Sequence, residues 1–350
     1  AGGILITVFG ILFSHNILAL MNTKDELIDG AVLYLRIYLL GMPALGLYNF
    51  GNAVLSAAGD TKRPLYYLAF AGVVNVILNL FFVIVCHLGV AGVALASMIS
   101  QFISAFLILR ALLTGKEKYC LRLSEIRFDK RKAVGILQIG IPSAFQYSLF
   151  AFANLFVQSS VNSFDHVLVE GNSAAANADP LVYDMMAAFY TACSSFIAQN
   201  FGARKKKRIL QTYLICLFYS FITSLVLGVG IYLARYPFLY LFTSDKAVVE
   251  AGITRLSIMA LSYSASAFMD ASIAASRGLG KTAVPTFVVV MGSCVFRIIW
   301  IYTIFAYFHT IQSLYILYVF SWGITAIAEN IYFFHVYRHT LTGKTESHLK

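Results

Sequence analysis

Hydrophobic residues in this chain fall in long unbroken runs, not in short stripes. The runs cover 1–21, 30–57, 64–86, 89–113, 133–163, 181–201, 210–235, 248–275, 283–308 and 313–338. Each reaches the length of about 20 residues that lets a helix cross the hydrocarbon of a bilayer. None shows the period-two alternation of a membrane barrel strand. The pattern predicts an all-α integral membrane protein with about ten spans.

Charge in the loops alternates with the runs. One set of loops carries Lys62 and Arg63, a basic stretch from Arg110 to Lys132, Arg204 to Arg208, Arg277 and Lys281, and a tail with Arg338, Lys344 and Lys350. The other set carries Asp25, Glu26, Asp29, Glu170, Asp179, Asp245 and Glu250. Cytoplasmic loops are the basic ones, so the first set is expected inside and a loop near Asn177 outside. Residues 116–132 mix bases with Leu121, Leu123, Ile126 and Phe128. That mixture suits an amphipathic segment on the cytoplasmic surface; a disordered linker is the alternative.

A turn occurs twice. Ser56-Ala57-Ala58-Gly59-Asp60-Thr61-Lys62-Arg63-Pro64 is followed, 221 positions on, by Arg277-Gly278-Leu279-Gly280-Lys281-Thr282-Ala283-Val284-Pro285. Gly59, Thr61 and Pro64 recur as Gly280, Thr282 and Pro285, and the frame carries Leu18, Asp29 and Leu35 onto Leu239, Glu250 and Leu256. Gly lets a helix end and Pro tolerates the start of the next. Six crossings separate the copies, so the halves form a parallel repeat of two lobes. The expected organisation is an N-terminal lobe over 1–113 with four spans, a basic linker over 114–132, a six-span C-terminal lobe over 133–340 and a cytoplasmic tail over 341–350. Matching halves would put two further helices before residue 1. Pro43 has no counterpart at Ser264, and a kink is expected there.

Composition agrees with the pattern. Mean hydropathy is +0.77, and charged residues are 12%, near half the roughly 25% of soluble domains. The net charge of +10 reads as cytoplasmic loop charge, and no nucleic-acid partner is implied. Cys86, Cys120, Cys193, Cys216 and Cys294 lack metal or redox spacing, which leaves packing as their role. There is no paired-His metal spacing, Gly-rich phosphate loop or ATP site, so no enzyme and no cofactor is expected. Any work must be driven by an ion gradient.

A wider set of residues now resembles a known family. Ile139-Gly140-Ile141-Pro142 opens the second half, with Gln146, Asn154, Gln158, Asn162 and Ala174-Ala175-Ala176-Asn177 after it. Gln199-Asn200-Phe201-Gly202-Ala203, Leu241-Phe242-Thr243-Ser244-Asp245 and Arg277-Gly278-Leu279-Gly280 follow. In this order they resemble the bacterial branch of the MATE (multidrug and toxic compound extrusion) transporters. The resemblance implies twelve helices in two lobes, of which this chain corresponds to helices three to twelve. It implies exchange of Na⁺ or H⁺ for organic, often cationic compounds, in the plasma or inner membrane. A monomer in the bilayer is the expected state. The family's first helix commonly carries an acidic coupling residue, and these residues do not include that helix.

Ionisable residues inside spans are functional candidates because charge in the bilayer core costs at least a few kcal/mol. Asp270, Arg297 and Glu329 are the candidates for ion binding or coupling. Arg297 and Glu329 are close enough in depth to pair across helices, which would make them a structural lock instead. Family resemblance implies a cation site near Asp270; the other reading is an acid neutralised by Arg277. Asn154, Gln158 and Asn162 recur every four residues and spread over about 80° of one helix face. With Gln146 and Tyr190 they are the candidate substrate cleft; interhelical hydrogen bonding is the alternative. Asn75 and Asn79 favour that second role. Tyr190, Phe189, Tyr147 and Phe150 offer ring faces to an aromatic cation, or core packing. The reading is a cation-coupled antiporter for organic cations. Its rivals are a lipid-linked saccharide flippase, which would line its cleft with more Arg and Lys, and a membrane enzyme or scaffold.

Overall fold

The computed structural model describes residues 2–20, 25–114 and 120–340, with side chains at all of these but 20, 25–27 and 123. The tail with Lys344 and Lys350, linker residues 116–119, and the Asp25, Glu26 and Leu123 side chains lie outside the described residues. The described chain is helical, with no strand among the described residues. Among the described residues, nine helices are long and apolar enough to span a membrane, and a bent pair makes a tenth. The chain divides into two compact units, Ala1–Phe128 and Asp129–Lys350.

The first unit holds α1 (Gly2–Leu20), α2 (Asp25–Leu39), α3 (Met42–Ala57), α4 (Lys62–Leu80) and α5 (Gly89–Thr114). A π turn, Phe81–Val85, extends α4. The bent pair is α2 and α3, which meet at 43°. Pro43 starts α3 there and has no N–H to continue the ladder of α2, so the expected kink is present. α5 packs on α2, α3 and α4 around Tyr48, Leu55 and Ile108. Asn79 donates to Asn75 one turn back, so this pair bonds along its own helix and not across helices. The outer faces are apolar: Phe9 is 67% and Ile77 59% exposed. In water such faces would aggregate; in hydrocarbon they are the required surface.

The second unit begins at α6 (Lys130–Val161), where the Asp129 carboxylate accepts from the Arg131 and Lys132 amides. From 120 to 129 the chain is irregular except for a 3-10 turn, Leu123–Glu125. Of the expected amphipathic segment, residues 120–129 are thus not α-helical, and Ile126 and Phe128 are exposed there. Next come α7 (His166–Ala176), α8 (Ala178–Gly202), α9 (Lys206–Leu233), α10 (Arg235–Leu239) and α11 (Lys246–Gly278). The next-to-last span is wound in pieces. α12 (Ala283–Val289), a π stretch Val290–Val295, α13 (Phe296–Trp300), a second π stretch Ile301–Phe305 and α14 (Ala306–Phe308) lead to α15 (Ile311–His339).

α11 is the axis of this unit, with α7, α8, α9 and α15 around it. Its sequence explains why: Ala267, Ala271, Ala274, Ala275, Ser272 and Ser276 are all buried, and small side chains let backbones approach without a hydrophobic drive. A Cβ on Gly228 of α9 would collide with the Ala260 carbonyl. One on Gly171 of α7 would lie 2.8 Å from the Gly252 amide.

The loop expected near Asn177 is not there. α7 and α8 run on as one candidate span, His166–Gly202, with Asn177 at a one-residue break. The connection before them is the turn at 162–165, where Asp165 caps α7 through the Leu168 amide. Apolar content hid this, because Glu170, Asn172 and Asp179 broke the run in sequence. Asn172 and Asp179 have partners inside the unit.

The two copies of the repeated turn share one backbone geometry. Gly59 has φ +92° and Gly280 φ +76°. The amides of Gly59 and Asp60 bond the Ser56 and Leu55 carbonyls, and those of Gly280 and Lys281 bond the Arg277 and Ser276 carbonyls. All four bonds keep the offset of 221.

Candidate functional site

Inside the second unit lies a cavity of about 650 Å³, walled by α6, α8, α11, the α12–α13 span and α15. On α6, Gln146, Asn154 and Gln158 line it. Asn162 does not: it is exposed at the helix end, accepting a 2.9 Å bond from Gln158 Nε2. Tyr190, Tyr147 and Phe150 are in the wall, while Phe189 stacks away on Tyr219.

Three arginines reach the cavity. Arg255 donates 2.7 Å to Asn172 Oδ1 and 2.5 Å to Asp179 Oδ2. The other oxygen of Asp179 accepts from the Tyr263 hydroxyl. Arg277 donates to the Tyr190 hydroxyl at 2.7 Å and to Gln146 Oε1 at 2.8 Å. Arg297, 2% exposed, donates to Asn154 Oδ1 at 2.9 Å and to Ser321 Oγ at 3.2 Å. Its guanidinium also lies over the Tyr318 ring at 4.6 Å and the Phe150 ring at 5.3 Å.

The sequence pattern puts Arg277 in a cytoplasmic loop and Asp179 in an external one and does not single out Arg255; the structure brings all three to the cavity. The signal was available on α11: Arg255, Asp270 and Arg277 fall within about 60° of one face at 100° per residue. That face turns to the cavity.

Arg297 and Glu329 do not pair. α15 runs antiparallel to the Arg297 span, with Ser293 at Thr325 and Arg297 at Ser321. Glu329 is thus eight residues past the partner of Arg297, about 12 Å along the axis, beyond reach of the guanidinium. Glu329 is fully buried, and neither carboxyl oxygen has a hydrogen-bond partner. It is not part of the cavity wall. Asp270 is in that wall, and no hydrogen bond or ion pair joins it to the described residues. Arg277, two turns from Asp270 on the same face of α11, is hydrogen-bonded to neither acid. No cluster of metal-ligating side chains occurs among the described residues.

The helices and this buried polar cavity define a polytopic α-helical membrane protein with a solute-sized chamber inside one lobe. The chain belongs to the MatE family, whose model matches residues 2–81 and 142–303. A probable multidrug resistance protein of Bacillus subtilis, YpnP, is 33% identical over 201 residues, 57% of this chain and 44% of that protein. Another, YoeA, is 28% identical over 270 residues, 75% of this chain and 58% of that protein. A solved MOP superfamily transporter from Pyrococcus furiosus superposes with a TM-score of 0.91 at 21% identity, over 97% of this chain and 76% of that one. The chain thus spans less than two thirds of the length of these two curated relatives.

Proposed function

We propose that the protein is a cation-coupled antiporter that exports small organic molecules by alternating access, powered by a Na⁺ or H⁺ gradient across the plasma membrane. The observation that carries this reading is the cavity: ionisable and aromatic side chains surround a solute-sized space among helices long and apolar enough to span a membrane. Membership of the MatE family and relatives named as multidrug resistance proteins support it. Asp270 is the proposed cation seat, as a cavity carboxylate with no ion pair. Glu329 is the second candidate, because two unpartnered buried oxygens call for a proton or ion. Arg297 is assigned to the substrate: like Arg277 it donates only to neutral groups, and unlike Arg277 it has no acid on its own span.

A lipid-linked saccharide flippase is the second reading, favoured by one observation: three arginines on the cavity wall. One experiment separates the two. Full-length protein in proteoliposomes is tested for efflux of fluorescent solutes under imposed Na⁺ or H⁺ gradients, and for scrambling of a labelled polyprenyl phosphate. Gradient-accelerated solute efflux, lost in Asp270→Asn, is expected. Lipid scrambling without solute efflux would overturn the exporter reading.

A further inference from the structure

Charges buried in a cavity call for counter-charges within it. Five charged side chains line this one: Arg255, Arg277, Arg297, Asp179 and Asp270. Three positive against two negative leaves a net +1. Asp179 is held by Arg255 at 2.5 Å, which leaves two guanidiniums facing one carboxylate. Asp270 and Arg277 stand two turns apart on one face of α11, and Glu329 lies outside the cavity. Asp184 sits on an exposed part of α8 and does not line the cavity.

Arg297 is the charge left over. No carboxylate of the described residues is within ion-pair distance; its partners are an amide oxygen, a hydroxyl and two rings. Two of its five N–H groups are taken by those neutral acceptors. A guanidinium is the side chain best matched to a carboxylate, sulfonate or phosphate, through paired hydrogen bonds. Around it Phe150, Tyr318 and Trp322 give flat apolar walls. A substrate cation placed here would meet the Arg297 charge at close range.

We propose that the cavity takes an organic anion carrying an aromatic ring, its acid group on Arg297 and its ring against Phe150, Tyr318 and Trp322. This rests on the reading of the cavity as the substrate chamber, and it replaces the expected organic cation with an anion.

The test uses two dyes with the same xanthene rings and opposite charge, fluorescein and rhodamine 6G. Their binding to full-length protein in phosphatidylcholine nanodiscs is followed by anisotropy against empty discs. Fluorescein is expected to bind at least tenfold more tightly. Arg297→Met should weaken it by about ten- to a hundred-fold, the effect of one charge-assisted hydrogen bond. Arg297→Lys, which keeps the charge and the fold but loses the paired geometry, should fall between. Lys281→Met, on the exposed turn, should leave it unchanged. Tighter binding of rhodamine 6G, or fluorescein binding equal in wild type and Arg297→Lys and Arg297→Met, would overturn the proposal. Gradient-driven flux is measured on the same preparations. Rhodamine efflux without fluorescein binding would sink the anion seat and leave the exporter. Arg297-dependent fluorescein binding without gradient-driven flux would uphold the seat and sink the exporter.

Discussion

Asp179→Asn is expected to be among the most damaging conservative changes in the second unit. The Asp179 carboxylate holds Arg255 at 2.5 Å and accepts the Tyr263 hydroxyl through its other oxygen. The Arg255 side chain is 8% exposed, and its Nε already has no partner. Neutralising Asp179 leaves that guanidinium with the Asn172 amide oxygen and the Tyr315 ring. An orphaned buried charge costs about 3–5 kcal/mol. Hydrogen bonds between membrane helices are worth only about 0.6–2 kcal/mol, so most of the loss comes from the stranded charge and not from the missing bond. That difference makes a sharper prediction than the size alone. Arg255→Met leaves Asp179 with Tyr263 and a partly open face, and should cost less, about 1–3 kcal/mol. The double variant should be more stable than Asp179→Asn alone, because no charge is left stranded. The assay is a double-mutant cycle on purified protein in mixed micelles, read as equilibrium unfolding of helical signal. Additive single-variant losses, with a coupling below about 0.5 kcal/mol, would refute the reasoning.

Gly228→Ala should destabilise the protein by more than about 1 kcal/mol, since its Cβ meets the Ala260 carbonyl; Gly230→Ala, with open space around it, should not. Paired melting curves decide this. Gly280→Ala should cost about 1–2 kcal/mol from its left-handed backbone alone, because nothing lies within 4 Å of the added methyl, and a thermal shift relative to wild type reads it. In intact cells, Ser163→Cys in the turn before α7 should react with an impermeant thiol reagent added outside, and Lys206→Cys should not; the reverse pattern would invert the topology.

The span pattern was legible because hydrocarbon imposes it on every residue of a crossing helix. The turn geometry was legible for a related reason. Gly59 and Gly280 sit where φ must be positive, and few other residues tolerate that. The cavity was only half legible. Asn154, Gln158, Gln146, Tyr190, Asp270 and Arg297 were singled out by polarity inside apolar runs, and all six line it. Arg277 and Asp179 lie just outside such runs, where charge is cheap, and so read as loop residues, while Arg255, two turns into its run, carries no mark that sets it apart. Which charge meets which depends on the relative slide of neighbouring helices. That slide is set by contacts such as Ser293 with Thr325, and no single run of residues contains it. Arg297 and Glu329 were mismatched for this reason.

The span that carries Arg297 is wound with two π stretches, one on each side of the five-residue α13. Each π turn holds more residues than an α turn, so each resets the compass bearing of everything after it. A helical wheel drawn through Ala283–Phe308 as one uniform helix therefore points its later side chains the wrong way. The same feature makes the bearing of Arg297 a matter of residue count as well as residue type. Removing one residue, such as Met291, from the first π stretch would turn the wide turn into a plain α turn and leave α13 near its present bearing, because the wide turn absorbs the extra residue. The same deletion from a plain α stretch would swing Arg297 by about 100°, away from Asn154 with every contacting residue still encoded. For this segment the wide turns carry extra residues without turning the chamber's charge aside.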